Sequence, residues 1–400
     1  MMPRRVLLAW EFGAGLAHVM LLAGVGRHLR VLSEDLELIY ALRDPDAGRN
    51  IGLPVEEVVA APLMFPKPGF QTLKTIPSHS TFGGMIGEVV VGERQDSFRY
   101  FDEWSQLITS VKPDVIVADY APVVTMLARG RVPTVACGIG YSLPPVNIPV
   151  FPPVTKSVRP PLVSEEELLQ RFNVLLEKMG AKTLDRLTQV NEADAYGLCT
   201  VPDLDPYANV PGREWLGAML PGGAPDMVDG HAGGLAYFHQ KQQFEDSLID
   251  GLIQSGVDIK AFMGEPLRRT RKRAQATGLH FSDEHFELQQ AMPGRAIAIH
   301  SGSLGFSAAA AFAGVPQVML PRHQEHYGNA HGVVARGAGV LLPPSKRTAA
   351  VLARTIREVA ESETMRAAAQ AFAVSLDPWR KADPARVIAE RTLALLNINA

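Results

Sequence analysis

Two histidines and an aspartate each follow a short apolar run, and such runs make the buried strands of an α/β sheet. Glu11-Phe12-Gly13-Ala14-Gly15-Leu16-Ala17-His18 comes after Val6–Trp10, Asp119 closes Val115–Ala118, and His300 follows Ala296–Ile299. An imidazole held by a carboxylate is a general base. The carboxylate fixes one tautomer and stabilises the cation formed when the ring takes a proton. His18 and Asp119 stand past the carboxyl ends of two strands of one sheet, so they are the candidate base and its partner. The alternatives are a structural histidine at a helix N-terminus for His18 and a helix N-cap for Asp119.

The third cluster points to different chemistry. After Ile299 comes the small-residue turn Ser301-Gly302-Ser303-Leu304-Gly305, then an Ala-rich helical pattern from Phe306 to Ala313. Gly314-Val315-Pro316 stops that helix and the strand Gln317–Leu320 follows, completing one βαβ unit. The N–H groups of Gly302, Ser303, Gly305 and Phe306 are placed to hold an anion, most often a phosphate, at the helix N-terminus. A tight turn with no ligand also accounts for the glycines. His300 or Ser301 is expected to donate to a phosphate, and Glu325, His326 and Asn329 are polar groups past the second strand's carboxyl end, where a doubly wound sheet presents ligands. His323 and His326 with Glu325 imitate a metal pair but lack a partner cluster. Asp203-Leu204-Asp205, lying between Pro202 and Pro206, reads as a turn. No metal site is expected.

Gly13-x-Gly15-x-x-His18 is close to the dinucleotide fingerprint Gly-x-Gly-x-x-Gly. His18 replaces the third glycine, however, and an imidazole there crowds a pyrophosphate while suiting a hydroxyl.

The segment containing Gly302, Gly305, Gly314-Val315-Pro316, Pro321 and Asn329-Ala330 resembles the donor-binding segment of UDP-glycosyltransferases of the GT-B fold, the group that includes plant secondary-metabolite and bacterial macrolide enzymes. In that family a histidine in the first turn is the catalytic base and an aspartate is its partner. The resemblance assigns those roles to His18 and Asp119. It also implies an acceptor pocket lined by N-domain loops, here with Gly15, His79, Phe82 and Tyr141. Several positions depart from the family. Its phosphate-side histidine falls on Ser301, or on His300 with a one-residue insertion; its Thr is Phe306; its ribose-binding Glu is Ala309; its Asp-Gln pair is Glu325-His326. The altered pair suggests a different sugar from that of ordinary members.

Composition bounds the rest. The chain has 400 residues, 46% of them hydrophobic, and a formal net charge of −3, enough for two cored domains and too little positive charge for a nucleic-acid footprint. Its basic cluster, Arg268-Arg269-Thr270-Arg271-Lys272-Arg273, reads as a solvated helix. Cys137 and Cys199 sit near apolar runs, as reduced thiols of a cytoplasmic protein do. Glu11 and His18 interrupt the apolar N-terminal stretch, so it reads as strand, turn and helix and not as a leader. No run is long enough for a membrane span.

Stepping along the chain, strands are expected at Leu36–Leu42, Val132–Cys137, Tyr196–Thr200, Leu235–Phe238 and Val257–Met263. Helices are expected at 19–32, 93–111, 164–180, 183–191, 244–254, 284–292, 348–373 and 384–396. Residues 54–92 and 143–161 read as ordered irregular segments. The linker composition of Pro221-Gly222-Gly223-Ala224-Pro225 divides two Rossmann-like α/β domains, 1–220 and 221–376. A last helix within 377–400 is expected to pack back on the first domain. The expectation is a GT-B fold with an interdomain cleft. It would belong to a cytoplasmic, metal-independent, inverting glycosyltransferase with no cofactor, whose substrates are a UDP- or dTDP-linked sugar and a small or medium hydroxylated acceptor. A homodimer is compatible with this. The rival readings are a non-catalytic binding or activating partner that kept the fold, and a nucleotide-sugar epimerase.

Overall fold

The computed structural model describes residues 3–13, 15–64, 81–92, 96–154, 163–238, 245–264, 268–277 and 279–398. His79 lies outside them. In chain order the first elements are β1 (Arg4–Trp10), α1 (Leu16–Leu32), β2 (Leu36–Leu42), α2 (Pro45–Asn50), β3 (Val58–Ala60), α3 (Phe82–Val91), α4 (Ser97–Val111), β4 (Val115–Asp119), α5 (Pro122–Ala128), β5 (Thr134–Gly138), α6 (Glu165–Lys178) and β6 (Ala195–Leu198). They are followed by β7 (Gly234–Tyr237), α7 (Glu245–Gln254), β8 (Ile259–Phe262), α8 (Arg268–Thr277), β9 (His280–Phe281), α9 (Leu288–Ala291) and β10 (Ile297–His300). The chain ends with α10 (Leu304–Phe312), β11 (Gln317–Met319), α11 (Gln324–Ala335), β12 (Gly339–Leu341), α12 (Ala349–Glu361), α13 (Glu363–Ser375) and α14 (Pro384–Ile398).

Two compact units result. One comprises Met1–Thr200, Tyr207–Met219 and Asp383–Ala400, and the other Val201–Pro206 and Leu220–Ala382. Val201–Pro206 goes with the second unit because Asp203 pairs with Arg336 of α11 at 2.6 Å. The first sheet has the order β3-β2-β1-β4-β5-β6 and the second β9-β8-β7-β10-β11-β12, with every pairing parallel. Each therefore has one switch point, between β1 and β4 and between β7 and β10, where a doubly wound sheet receives ligands.

In the first sheet, strand alternation sorts side chains between two cores. Val6, Leu8, Trp10, Val115 and Val117 pack with α1 and α14, the latter contributing Ala385, Ile388 and Ala389. Leu7, Ala9, Ile116 and Ala118 pack with rings and aliphatic groups of α3, α4, α5 and α6. Among the described residues no helix is long and apolar enough to cross a membrane.

Three expectations need correction. Residues 82–91 are a helix and not an irregular stretch, despite Gly83, Gly84 and Gly87. Thr81 caps it by accepting from the Gly84 N–H at 3.0 Å. A Cβ at Gly83 would lie 2.5 Å from the Phe151 ring and one at Gly87 2.3 Å from Leu168, so close packing selects these glycines. The helix expected at 183–191 shrinks to a 3-10 turn, Leu187–Asn191, because Asn173 holds both backbone groups of Leu184. The helix expected at 348–373 breaks at Ser362, whose hydroxyl accepts from the Met365 N–H and starts α13.

Candidate active site

The parity that sorts the first sheet also selects what meets at its switch point. Trp10 and Asp119 stand opposite one another in the β1–β4 register, and both share the parity of the face that α1 covers. His18 lies in the first turn of α1. Its Nδ1 is 2.8 Å from Asp119 Oδ2, with the imidazole 17% exposed and the carboxylate 1% exposed. With Asp119 accepting, Nδ1–H donates and Nε2 is the basic nitrogen. The glycines before α1 permit this approach. Gly13 has φ +85°, and a Cβ on it would lie 2.4 Å from His18 Nε2. Gly15, the N-cap, has φ +102°.

The turn after β4 is also held open to the left-handed side. Tyr120 has φ +47°, unusual for a bulky residue. Its carbonyl accepts from Phe12 N–H at 3.0 Å, tying the ends of β1 and β4 together, and its ring lies 6.2 Å from that of His18. Phe82 and Tyr141 were expected to line an acceptor pocket. They are buried in the first unit's core, in edge contact at 5.8 Å, and the Tyr120 ring contacts both Phe82 and His18.

Glu11 carries no role in the sequence reading, and its parity sends it to the other face. There its carboxyl group accepts from the N–H groups of Val123 at 2.8 Å and Val124 at 3.4 Å, and from the Tyr100 hydroxyl at 3.1 Å. Burial pushes its carboxyl up to about 8, against which those hydrogen bonds act. An acid directly after the apolar run Val6–Trp10 was the available signal.

At the second switch point, β7 ends in Tyr237 and β10 in His300, side by side in register. His300 is fully buried. Its Nε2 lies 3.0 Å from Gln317 Oε1, and its Nδ1 accepts from the Gly302 N–H at 3.0 Å. Gln317 in turn donates to the Ser307 carbonyl at 3.1 Å. Burial lowers the imidazole to about 4, so it is neutral. His300 is therefore not the expected phosphate donor. Its N–H is committed to Gln317, and it braces the turn from inside.

Gly302 has φ +96°, and a Cβ there would lie 2.9 Å from the carbonyl oxygen of His326. Asn329, fully buried, donates to the Gly302 carbonyl at 3.0 Å, so one of its amide N–H groups braces the turn. The N-cap of α10, Ser303, makes no side-chain cap, and no acid occupies the first turn. Its leading N–H groups therefore have no side-chain acceptor of this helix's own. A Cβ on Gly305 would meet no atom within 4 Å. Ser301, Glu325 and His326 are half-buried around this turn. Asn329 Oδ1, His326 Nδ1 and Gln324 Oε1 are buried without a hydrogen-bond partner among the described residues. Buried polar atoms are nearly always paired, so this cluster marks a place suited to a polar ligand. Burial, and next the proximity of His323, pushes the His326 imidazole well below its ordinary value.

Phe306 is packed inward between Tyr237 at 5.2 Å and His300 at 4.8 Å. Where the resembled family has a hydroxyl, only the backbone of this residue is left to a ligand. Ala309 is likewise buried in the core. Among the described residues no group of three or more His, Cys, Asp or Glu is placed to hold a metal ion.

Residues 284–391 match the model of the erythromycin biosynthesis protein CIII-like C-terminal domain. Among solved structures the chain is similar to the calicheamicin glycosyltransferase CalG4, with 18% identity over 99% of both chains and a TM-score of 0.66. The spinosyn rhamnosyltransferase SpnG aligns over 98% of this chain and 100% of its own, at 16% identity and a TM-score of 0.67. The chain has the GT-B fold. The glycosyltransferase VinC shares this GT-B architecture, with 14% identity, coverage of 98% and 100%, and a TM-score of 0.66. No curated protein matches the sequence. In this GT-B chain His18 and Asp119 sit at the first switch point and the Gly302 turn at the second.

Proposed function

We propose that this GT-B protein is an inverting glycosyltransferase that moves a sugar from a nucleoside-diphosphate donor to a hydroxyl of a small or medium-sized acceptor. The contact of His18 with Asp119 at 2.8 Å carries the proposal. His18 Nε2 takes the proton of the acceptor hydroxyl, and Asp119 holds the imidazolium that forms. The acceptor oxygen bonds to the anomeric carbon from the face opposite the diphosphate, whose bond to that carbon breaks. The leaving diphosphate takes up the electron pair and is stabilised by the N–H groups leading α10. The unpaired polar atoms beginning α11 serve the sugar or diphosphate, with Glu325 and His326 in the sugar-binding role. The scheme requires no metal.

A dTDP- or UDP-linked donor fits best. SpnG was solved with thymidine diphosphate and VinC with dTDP, which favours the former. The two buried free thiols, Cys137 and Cys199, suit a reducing cytoplasm. One observation favours a second reading, a nucleotide-binding partner without turnover: Phe306 and His300 are turned into the core where the resembled family offers polar side chains.

The test is a thermal-shift screen of dTDP-, UDP- and GDP-sugars, followed by a product assay of any stabilising donor with a panel of hydroxylated acceptors. Stabilisation with transfer supports the enzyme. Stabilisation without transfer supports the binding partner, and no stabilisation by any donor rejects both.

A further inference from the structure

We propose that Trp10 is a positioning residue for His18, its indole face holding the imidazole on Asp119 and stabilising the protonated ring. The inference rests on His18 being the base. The two rings are stacked, with centroids 5.1 Å apart and planes 17° from parallel. Trp10 is 3% exposed, and its indole N–H donates to the Phe12 carbonyl two residues on, so the ring cannot swing away from His18 without breaking a buried hydrogen bond. Because Trp10 and Asp119 are opposite in the β1–β4 register, one pair of strand ends supplies both the carboxylate at the ring's edge and the aromatic face beneath it. Gly13 passes Nε2 on a backbone that admits no side chain.

The face of an indole carries the negative part of its quadrupole and attracts a cation placed over it, more strongly where water is excluded. An imidazole becomes that cation at the moment it accepts a proton. The stack therefore favours the state that a base must reach, and the neutral ring gains much less from it. Asp119 reaches the imidazole from β4, and the Tyr120 ring from the turn after β4. The first turn of α1 carries no acid. Glu11 is turned to the opposite face, on Tyr100 and the N–H groups before α5.

The test is an NMR titration of His18 in the full chain, its resonances assigned by their loss in His18→Ala. In Trp10→Leu the His18 pKa should fall by about half a unit to one and a half, with Trp10→Phe recovering part of the loss. Since removing a buried indole can unfold the chain, the deciding arm replaces tryptophan by its mono-, di- and trifluoro analogues, which keep the shape and weaken the quadrupole stepwise. Among the described residues Trp10 is the tryptophan in ring contact with His18. The His18 pKa should drop with each added fluorine. A pKa constant across the folded fluorinated series would overturn the proposal. The titration needs no substrate, so failure of the glycosyltransferase reading, seen as absent turnover, is distinguishable from failure of this one.

Discussion

The two switch points both contain an imidazole, and the chain treats the two rings in opposite ways. His18 meets a carboxylate and is 17% exposed. His300 meets a neutral amide, Gln317, and is fully buried. A carboxylate favours the charged ring, whereas burial beside an amide favours the neutral one. The first ring is therefore equipped to accept a proton. The second is fixed as a neutral strut whose Nδ1 accepts from the backbone that shapes the Gly302 turn. The lesson is that a histidine at a strand's carboxyl edge becomes chemical or structural according to its partner, and the partner is set by strand parity and neighbouring sequence.

The largest effect should come from breaking the charged side of this contrast while keeping its shape. Asp119→Asn leaves a hydrogen-bonding side chain but removes the charge that holds the imidazolium. Turnover should fall on the order of 10²–10⁴-fold with thermal stability nearly kept. An active Asp119→Asn enzyme would remove the carboxylate from the account. On the other side, Gly302→Val forces a β-branched side chain to φ +96° against the His326 carbonyl. Calorimetric affinity for dTDP or UDP should weaken roughly tenfold or more, from about 1–2 kcal/mol of backbone strain alone. Unchanged affinity would detach the turn from nucleotide binding.

The strut itself can be probed by pH. The His300 ring is lowered from 6.5 to about 4, so between those values the unfolded chain holds a proton that the folded chain lacks. Its contribution to stability is present above 6.5 and is lost as pH falls toward 4. His300→Asn keeps an acceptor for the Gly302 N–H and loses the Gln317 bond. It should cost roughly 1–3 kcal/mol at neutral pH and flatten the acid loss in that window. Melting temperatures that track the parent chain across the window would show the ring is no strut. The smallest effect concerns Glu11, raised from 4.5 to about 8. Here the folded chain holds the extra proton, so stability falls as pH rises through that window and levels off above about 8. Glu11→Gln should therefore lose less melting temperature than the parent between about pH 5 and pH 8, and parallel curves would contradict the assignment.

Much of this was legible beforehand. Continuous apolar runs announced the inner strands because both faces of each sheet are covered, and glycine turns announced the switch points. The pairing of His18 with Asp119 followed from two strand ends in one sheet. The legible part stopped where tertiary packing overrides local signals. A helix at 82–91 carries three glycines because Phe151 and Leu168 press on it, so its composition imitated a loop. His300 and Phe82 have types that suit ligands, and only burial and partners reveal them as brace and core, while Asn329 braces the turn through its N–H and keeps an Oδ1 unpaired among the described residues. Trp10 and Glu11 were read as strand filler and turn. Parity along β1, which sends one to His18 and the other to Tyr100, shows what they do.

The most direct trial is single-turnover transfer by His18→Ala, with donor binding measured in the same preparation. The account predicts product formation slowed on the order of 10²–10⁴-fold while affinity for the nucleotide sugar is unchanged. Transfer at the parent rate, with the imidazole gone, would contradict it.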